Sequence, residues 1–432
     1  MNDATDDAKP DGPPAPDSGP APDSGPAPDP GPAYARVSTL RGLLQRGRGL
    51  GAATAPHEPG AAALVHEMIR QDWSWHPLVD ERHLYLARLV RDLGLPTGPI
   101  ADLLTGDADA CEQATGVLEL LALSGSLPAR EALRTYIGEG EHWVDVLESV
   151  ASRWPAAWWD DLAGTARARL TGGEPLLRRS EPWVRWGLPA AEPAPPSRPR
   201  ARAVEVEASS RRLLTVLADP AADPAARTAA LGLLAGRPGE PDLLPLVPSL
   251  GSADGEHPLS GLPRAVSRLG ALAVPAARAW AADGRPWLAR IGLTALTRHG
   301  GTRDLPVLVA ALEADWRERA WCGPADLAAG LARFGPAAAE AVPTLRRFWL
   351  RTPHSYERPA YLRALAVIDP SGLDEAHTES LWDCQADARL LGIAEAPDLP
   401  HVREQVAALR DDPMEEPGVR AAAARRGAGA GG

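Results

Sequence analysis

The sequence predicts an all-α chain, an α-solenoid of stacked antiparallel helical hairpins behind a disordered N-terminal tail. Three observations predict it. The apolar set is dominated by Ala and Leu, with few Ile and only 2 Phe, a balance that favours helix over strand. Between proline and glycine stops, apolar residues recur at three- and four-residue steps, the period of one helix face. The stops themselves recur at roughly the length of a two-helix unit.

The tail comes first. Residues 15–32 read APDSGP, APDSGP, APDPGP, and residues 1–33 carry seven Asp against Lys9, the only lysine of the chain. Proline removes backbone donors, glycine raises the entropy cost of ordering, and nothing apolar offsets it. Residues 34–186 form the first helical block. HLYLARLVRDLGL (83–95), CEQATGVLELLALSG (111–125), PAREALRTYIGEG (128–140) and HWVDVLESVASRW (142–154) are amphipathic, with a turn expected at Ser124-Gly125. We read the block as divergent repeats continuing the C-terminal array, the alternative being a separate bundle docked on it. Five prolines make residues 187–204 a stiff linker. Residues 205–412 are the C-terminal repeats, and 413–432, ending AAAARRGAGAGG, are expected to be flexible.

The repeats are marked by two sets of proline. Leu244-Pro245, Val274-Pro275, Leu305-Pro306 and Val342-Pro343 start one set of apolar segments; Pro224, Pro263, Pro286, Pro324 and Pro359 open the helices of the other. Gly236, Gly270, Gly300 and Gly335 follow four of these helices, and Asp369-Pro370 ends the fifth. Proline in the first turn and glycine past the last is the normal asymmetry of helix ends. Each helix is too short to stand alone in water, so stacking against the next pair is the way its apolar face is covered.

LPVLVAALEADWRERAWCGPADLAAGLARFG (305–335) and GPAAAEAVPTLRRFW (335–349) resemble HEAT repeats of the bacterial type also found in phycobilisome-lyase-like proteins. The resemblance covers about 210–370. It implies an armadillo-type superhelix and a scaffold or adaptor that holds a protein or peptide on its concave face. It also brings two enzyme alternatives, a DNA-glycosylase-like nucleic-acid-processing module and a lyase-like activity.

Composition weighs on those alternatives. The net charge is −12 and the chain has no general surplus of cations, which disfavours a nucleic-acid partner. Cys111, Cys322 and Cys384 are widely separated, with no C-x-x-C pair, so neither a disulfide framework nor a zinc site is signalled. His57-Glu58 and His66-Glu67 match the pairs of a HEAT-repeat di-iron hydroxylase family, but they sit together at one end. We find no catalytic motif, no cofactor signature and no apolar run long enough to cross a membrane, and we expect a cytoplasmic protein.

Tryptophan is the unusual residue: 14 occur, eight of them in 34–186. They serve either as core fillers in place of Phe or as walls of an aromatic groove. For a partner-binding site the sequence singles out Trp73, Trp75, Trp143, Trp158, Trp159, Asp160 and Asp161. Trp158 and Trp159 are adjacent and cannot both face one core on a helix, so one of them is expected at an edge. Asp411, Asp412, Glu415 and Glu416 read as a solvated helix end.

Overall fold

A computed structural model of the protein describes residues 34–170, 180–188, 209–252 and 254–429. Residues 1–33 and most of 187–204 lie outside the described residues, and with them the expected tail and linker.

The described residues form helices and no strand; only Gly251 and Pro258 make an isolated bridge. The first block holds α1 (Leu40–Gln45), α2 (Gly49–Thr54), α3 (Ala61–Arg70), α4 (His83–Asp92), α5 (Gly98–Ala101), α6 (Ala108–Leu123), α7 (Leu127–Glu139), α8 (Trp143–Arg153), α9 (Ala163–Arg169) and α10 (Trp183–Trp186). The second holds α11 (Ser210–Ala218), α12 (Pro224–Ala235), α13 (Leu262–Ser267), α14 (Val274–Ala281), α15 (Pro286–His299), α16 (Leu305–Glu318), α17 (Pro324–Ala332), α18 (Val342–Arg351), α19 (Arg358–Ile368), α20 (Asp374–Ser380), α21 (Ala386–Glu395), α22 (Pro400–Asp411) and α23 (Pro417–Gly429).

The two proline sets sort these helices. Pro263, Pro286, Pro324 and Pro359 open α13, α15, α17 and α19, while Pro275, Pro306 and Pro343 lie in the first turns of α14, α16 and α18. There a missing N–H costs nothing, because it would have had no partner within the helix. Each odd helix from α13 to α23 packs on the next odd helix, and each of α14, α16, α18, α20 and α22 packs on the odd helix that follows it. Leu244-Pro245 breaks the pattern. Pro241, Pro245 and Pro248 fall so close together that the segment makes two 3₁₀ turns, Pro241–Leu243 and Val247–Ser249, instead of an α-helix. The turn at Ser124-Gly125 is present between α6 and α7: Gly125 has φ +101°, and Ser126 caps α7 through the Ala129 N–H.

One core runs from Leu213 to Ala376 through the second block. Another runs from Leu44 to Trp183, and it takes in Cys384 and Met414. The first block therefore packs on the far end of the second. This contact is built from buried charges. Arg358 binds Asp383 through two N–H groups at 2.8 and 2.9 Å and reaches the Arg46 carbonyl at 2.8 Å. Arg48 grips Glu379 at 2.6 and 2.7 Å, and Arg88 reaches Glu415 at 2.8 Å, a carboxylate that Arg389 of its own block holds through Nε and Nη2. Gly49 allows the close approach, since a Cβ there would strike the Glu379 carbonyl.

Two expectations for the C-terminus are corrected. Residues 417–429 are helical, with Val419 and Ala423 buried; packing on α21 and α22 and the high helix propensity of Ala outweigh the glycines. Asp412 and Glu415 are buried and not solvated, because Arg88 reaches both at 2.8 Å. Residues 430–432 lie outside the described residues.

Candidate functional site

Helix α15 shows how a groove is made. Trp287, Leu288, Ile291, Gly292, Ala295 and Leu296 turn inward, which leaves Arg290, Thr294 and Arg298 as an exposed stripe at four-residue steps. On one side, toward α13, lies a cavity of about 410 Å³ with Pro263, Val266, Trp287, Ile291 and Ala295 in its walls and His257 and His299 at its edge. The Trp287 indole is held by the Gly255 carbonyl at 3.0 Å. On the other side, toward α17, lies a cavity of about 570 Å³ lined by Asp315, Cys322, Asp326, Leu327 and Arg333 among others. Both share Pro286, Arg290, Thr294 and Arg298. They form one surface across three helices, apolar below and cationic along the ridge. Burial raises the Asp315 carboxyl to about 6, against the opposing pull of Arg290.

A larger groove, about 830 Å³, surrounds the non-helical segment between α3 and α4. Its walls come from residues 70–84, from the start of α6, from Arg153 and from Met414 and Glu416. The segment is locked down by Asp80, whose Oδ1 lies 2.8 Å from His354 Nδ1 and accepts from Ser355 Oγ at 2.7 Å and the Tyr356 N–H at 3.0 Å. Burial pushes the Asp80 carboxyl up, but His354, Arg82, Ser355 and Tyr356 together hold it far below the usual carboxylate range. Ser355, His354 and Asp80 do not make a nucleophilic relay. The hydroxyl and the imidazole both converge on the carboxylate, so the imidazole cannot take the serine proton, and Ser355 is fully buried.

The seven singled-out residues fall in two places. Trp73 is buried against Tyr34 with rings 5.8 Å apart, and its indole N–H meets no acceptor. Trp75 is 36% exposed and its indole lies 3.2 Å from Cys322 Sγ, a wall of the α15–α17 cavity. Trp143 and Trp159 are core residues, each edge-on to a tryptophan of α10: Trp143 to Trp183 at 6.4 Å and Trp159 to Trp186 at 5.7 Å. Trp158 is half-buried, packs on Trp154 at 5.7 Å and carries Arg130 over its face. The pair sits on two short 3₁₀ turns, Ala156–Trp158 and Asp160–Leu162, and the break between them turns Trp159 inward. Asp160 accepts from the Trp186 indole at 2.9 Å and from Arg185, and Asp161 pairs with Arg134. These two carboxylates hold α7 and α10 in place.

The α15 stripe was not singled out in the sequence, although Arg290, Thr294 and Arg298 are polar at every fourth position of a mostly apolar helix. The larger groove had no such signal, since its walls come from distant parts of the chain. Among the described residues no group of three His, Cys, Asp or Glu could hold a metal ion. Glu67 of the second His-Glu pair bonds Arg41. Comparison of the chain with protein-family models, curated proteins and solved structures gives no match.

Proposed function

We propose that the protein is a non-enzymatic adaptor that binds a partner segment across the exposed face of α15. On this reading the alternating contacts of odd and even helices from α13 to α23 are those of a HEAT-like α-solenoid. The observation that carries the proposal is the pair of cavities sharing Arg290, Thr294 and Arg298. An apolar floor beneath unpaired guanidinium groups suits a peptide with an apolar anchor flanked by Asp or Glu. A chain that is otherwise acidic repels such a segment elsewhere, so the ridge also sets the docking register.

Peptides selected from a random display library on the purified protein test this. The expected winners carry an aliphatic or aromatic residue beside carboxylates, and Arg290→Glu/Arg298→Glu weakens them at least tenfold without changing the melting temperature. Winners indifferent to that double substitution refute the proposal, as does displacement of the peptide by a single-stranded oligonucleotide of equal charge.

A further inference from the structure

The ridge of α15 is not uniform from end to end. Arg290 and Arg298 lie two turns apart, roughly 12 Å along the helix axis, and both border the cavity toward α13. At the Arg290 end, cations meet carboxylates. His257 lies there, on the loop whose Gly255 carbonyl holds the Trp287 indole, but Glu256 is beside it and Asp315 faces Arg290 from α16. Glu256 is the one carboxylate among the described residues that line the α13 cavity. At the Arg298 end, His299 is next in the chain, and its ring lies 3.9 Å from where a Cβ on Gly270 would stand.

A helix C-terminus ordinarily repels an anion, because its last carbonyls carry about half a negative charge. Here they are covered. Arg333 donates to the Thr297 and Gly300 carbonyls at 2.6 and 3.0 Å, which brings a third positive charge to the same end. Asp304, which packs against Gly300, is committed to Arg278 at 2.7 and 2.9 Å. The Arg298 guanidinium and the His299 imidazole are exposed, and among the described residues no salt bridge or hydrogen bond engages either. The nearby hydroxyls are already donating: Thr294 Oγ1 to the Arg290 carbonyl at 2.8 Å and Ser267 Oγ to the Arg264 carbonyl at 2.7 Å. The free donors at this end are guanidinium and imidazole N–H groups, which select an anion over a neutral hydroxylated ligand.

Building on the adaptor reading, we propose that this end of the cavity takes a phosphorylated serine or threonine of the partner segment. Arg298 and His299 hold the phosphate oxygens, and a neighbouring apolar residue lies on Val266, Ile291 and Ala295. A carboxylate about four residues of extended chain away reaches Arg290. A carboxylate offers two oxygens and one charge. A phosphate offers three oxygens and a charge of about −1.5 to −2, and a guanidinium fork binds two of those oxygens at once. The doubly charged group therefore gains most at the end where no carboxylate opposes it. The net charge of −12 turns away a polyphosphate backbone.

The test is titration calorimetry of the full chain with an acetylated, amidated nonapeptide, Asp-Gly-Gly-Leu-phosphoserine-Leu-Gly-Gly-Asp, which sets a carboxylate four positions to either side. Parallel arms replace phosphoserine with Asp or with Ser, and two more use inorganic phosphate and oligothymidylate. The phosphopeptide is expected to bind at least tenfold tighter than the Asp peptide, and to lose that gain in Arg298→Gln/His299→Gln. Both residues are exposed, so the variant folds, which an unchanged melting curve checks. Equal binding of the two peptides, or a gain that survives Arg298→Gln/His299→Gln, overturns the proposal. Inorganic phosphate or oligothymidylate binding as tightly as the phosphopeptide overturns it too. An Asp peptide that binds and is lost in Arg290→Glu/Arg298→Glu, beside no gain from phosphate, leaves the adaptor reading standing without this proposal; no binding by any peptide overturns both.

Discussion

Arg358 is the residue on which the contact between the two blocks turns, and Arg358→Met is the perturbation that exposes its weight. The side chain is 1% exposed and Asp383 5% exposed, so neither charge has water to fall back on. Methionine keeps the aliphatic stalk but strands Asp383, which retains only the Gln385 N–H at 3.0 Å. The Arg46 carbonyl loses its donor as well, while Gly47 keeps the Cys384 N–H at 3.1 Å. Removing one partner of a buried pair costs about 3–5 kcal/mol, because the other charge stays buried without compensation. Chains of this kind have roughly 5–15 kcal/mol in total, so the variant should lose at least about a fifth of its stability. Urea unfolding followed by tryptophan fluorescence measures it, since tryptophans lie in both blocks. The companion Arg358→Met/Asp383→Leu removes the stranded charge and should recover most of the loss. A single variant within about 1 kcal/mol of the parent, or a double variant no better than the single, refutes the reasoning.

Other outcomes follow from the same structure. Asp315 is half-buried with its carboxyl raised to about 6, so its folded pKa lies above the unfolded one. The stability it contributes is full below pH 4 and is lost as pH rises through 6; Asp315→Asn should therefore stabilise at pH 7.5 by about 1 kcal/mol after solvent screening, and by nothing at pH 4. Asp412 and Glu415 run the other way. Arginine partners hold both below the usual range, so their contribution is present above pH 4.5 and fades as pH falls through their folded values, which an acid titration of Glu415→Gln against the parent checks. Trp183 is 1% exposed between Trp143 and Trp186, and Trp183→Ala should cost about 3–5 kcal/mol in chemical denaturation.

Much of the second block was legible because local signals there agree with packing. Pro286 and Gly300 bound α15 as the sequence indicates, and the Pro-marked starts of α14, α16 and α18 fall where expected. Gly270 and Gly335 end their elements with φ of +55° and +54°. Leu244-Pro245 was misread because one proline at a helix start is a signal, whereas three within eight residues starve the segment of donors. The tryptophans were half legible. Their number marks a large-residue core, but which of two neighbours turns inward depends on a 3₁₀ break that no periodicity records. Least legible was the closure of residues 34–93 on 349–415. It rests on single Arg–carboxylate pairs over 300 positions apart, such as Arg88 with Asp412 and Arg48 with Glu379, and a charged residue reads as solvated until its partner is in view.

The adaptor reading meets its most direct test at Thr294, midway along the α15 ridge. A photoreactive benzoyl-phenylalanine at that position, irradiated with a selected acidic peptide bound, should yield a covalent adduct that unlabelled peptide abolishes. Tight binding with no adduct at Thr294, and an adduct formed instead by the same probe at Leu78, would contradict it.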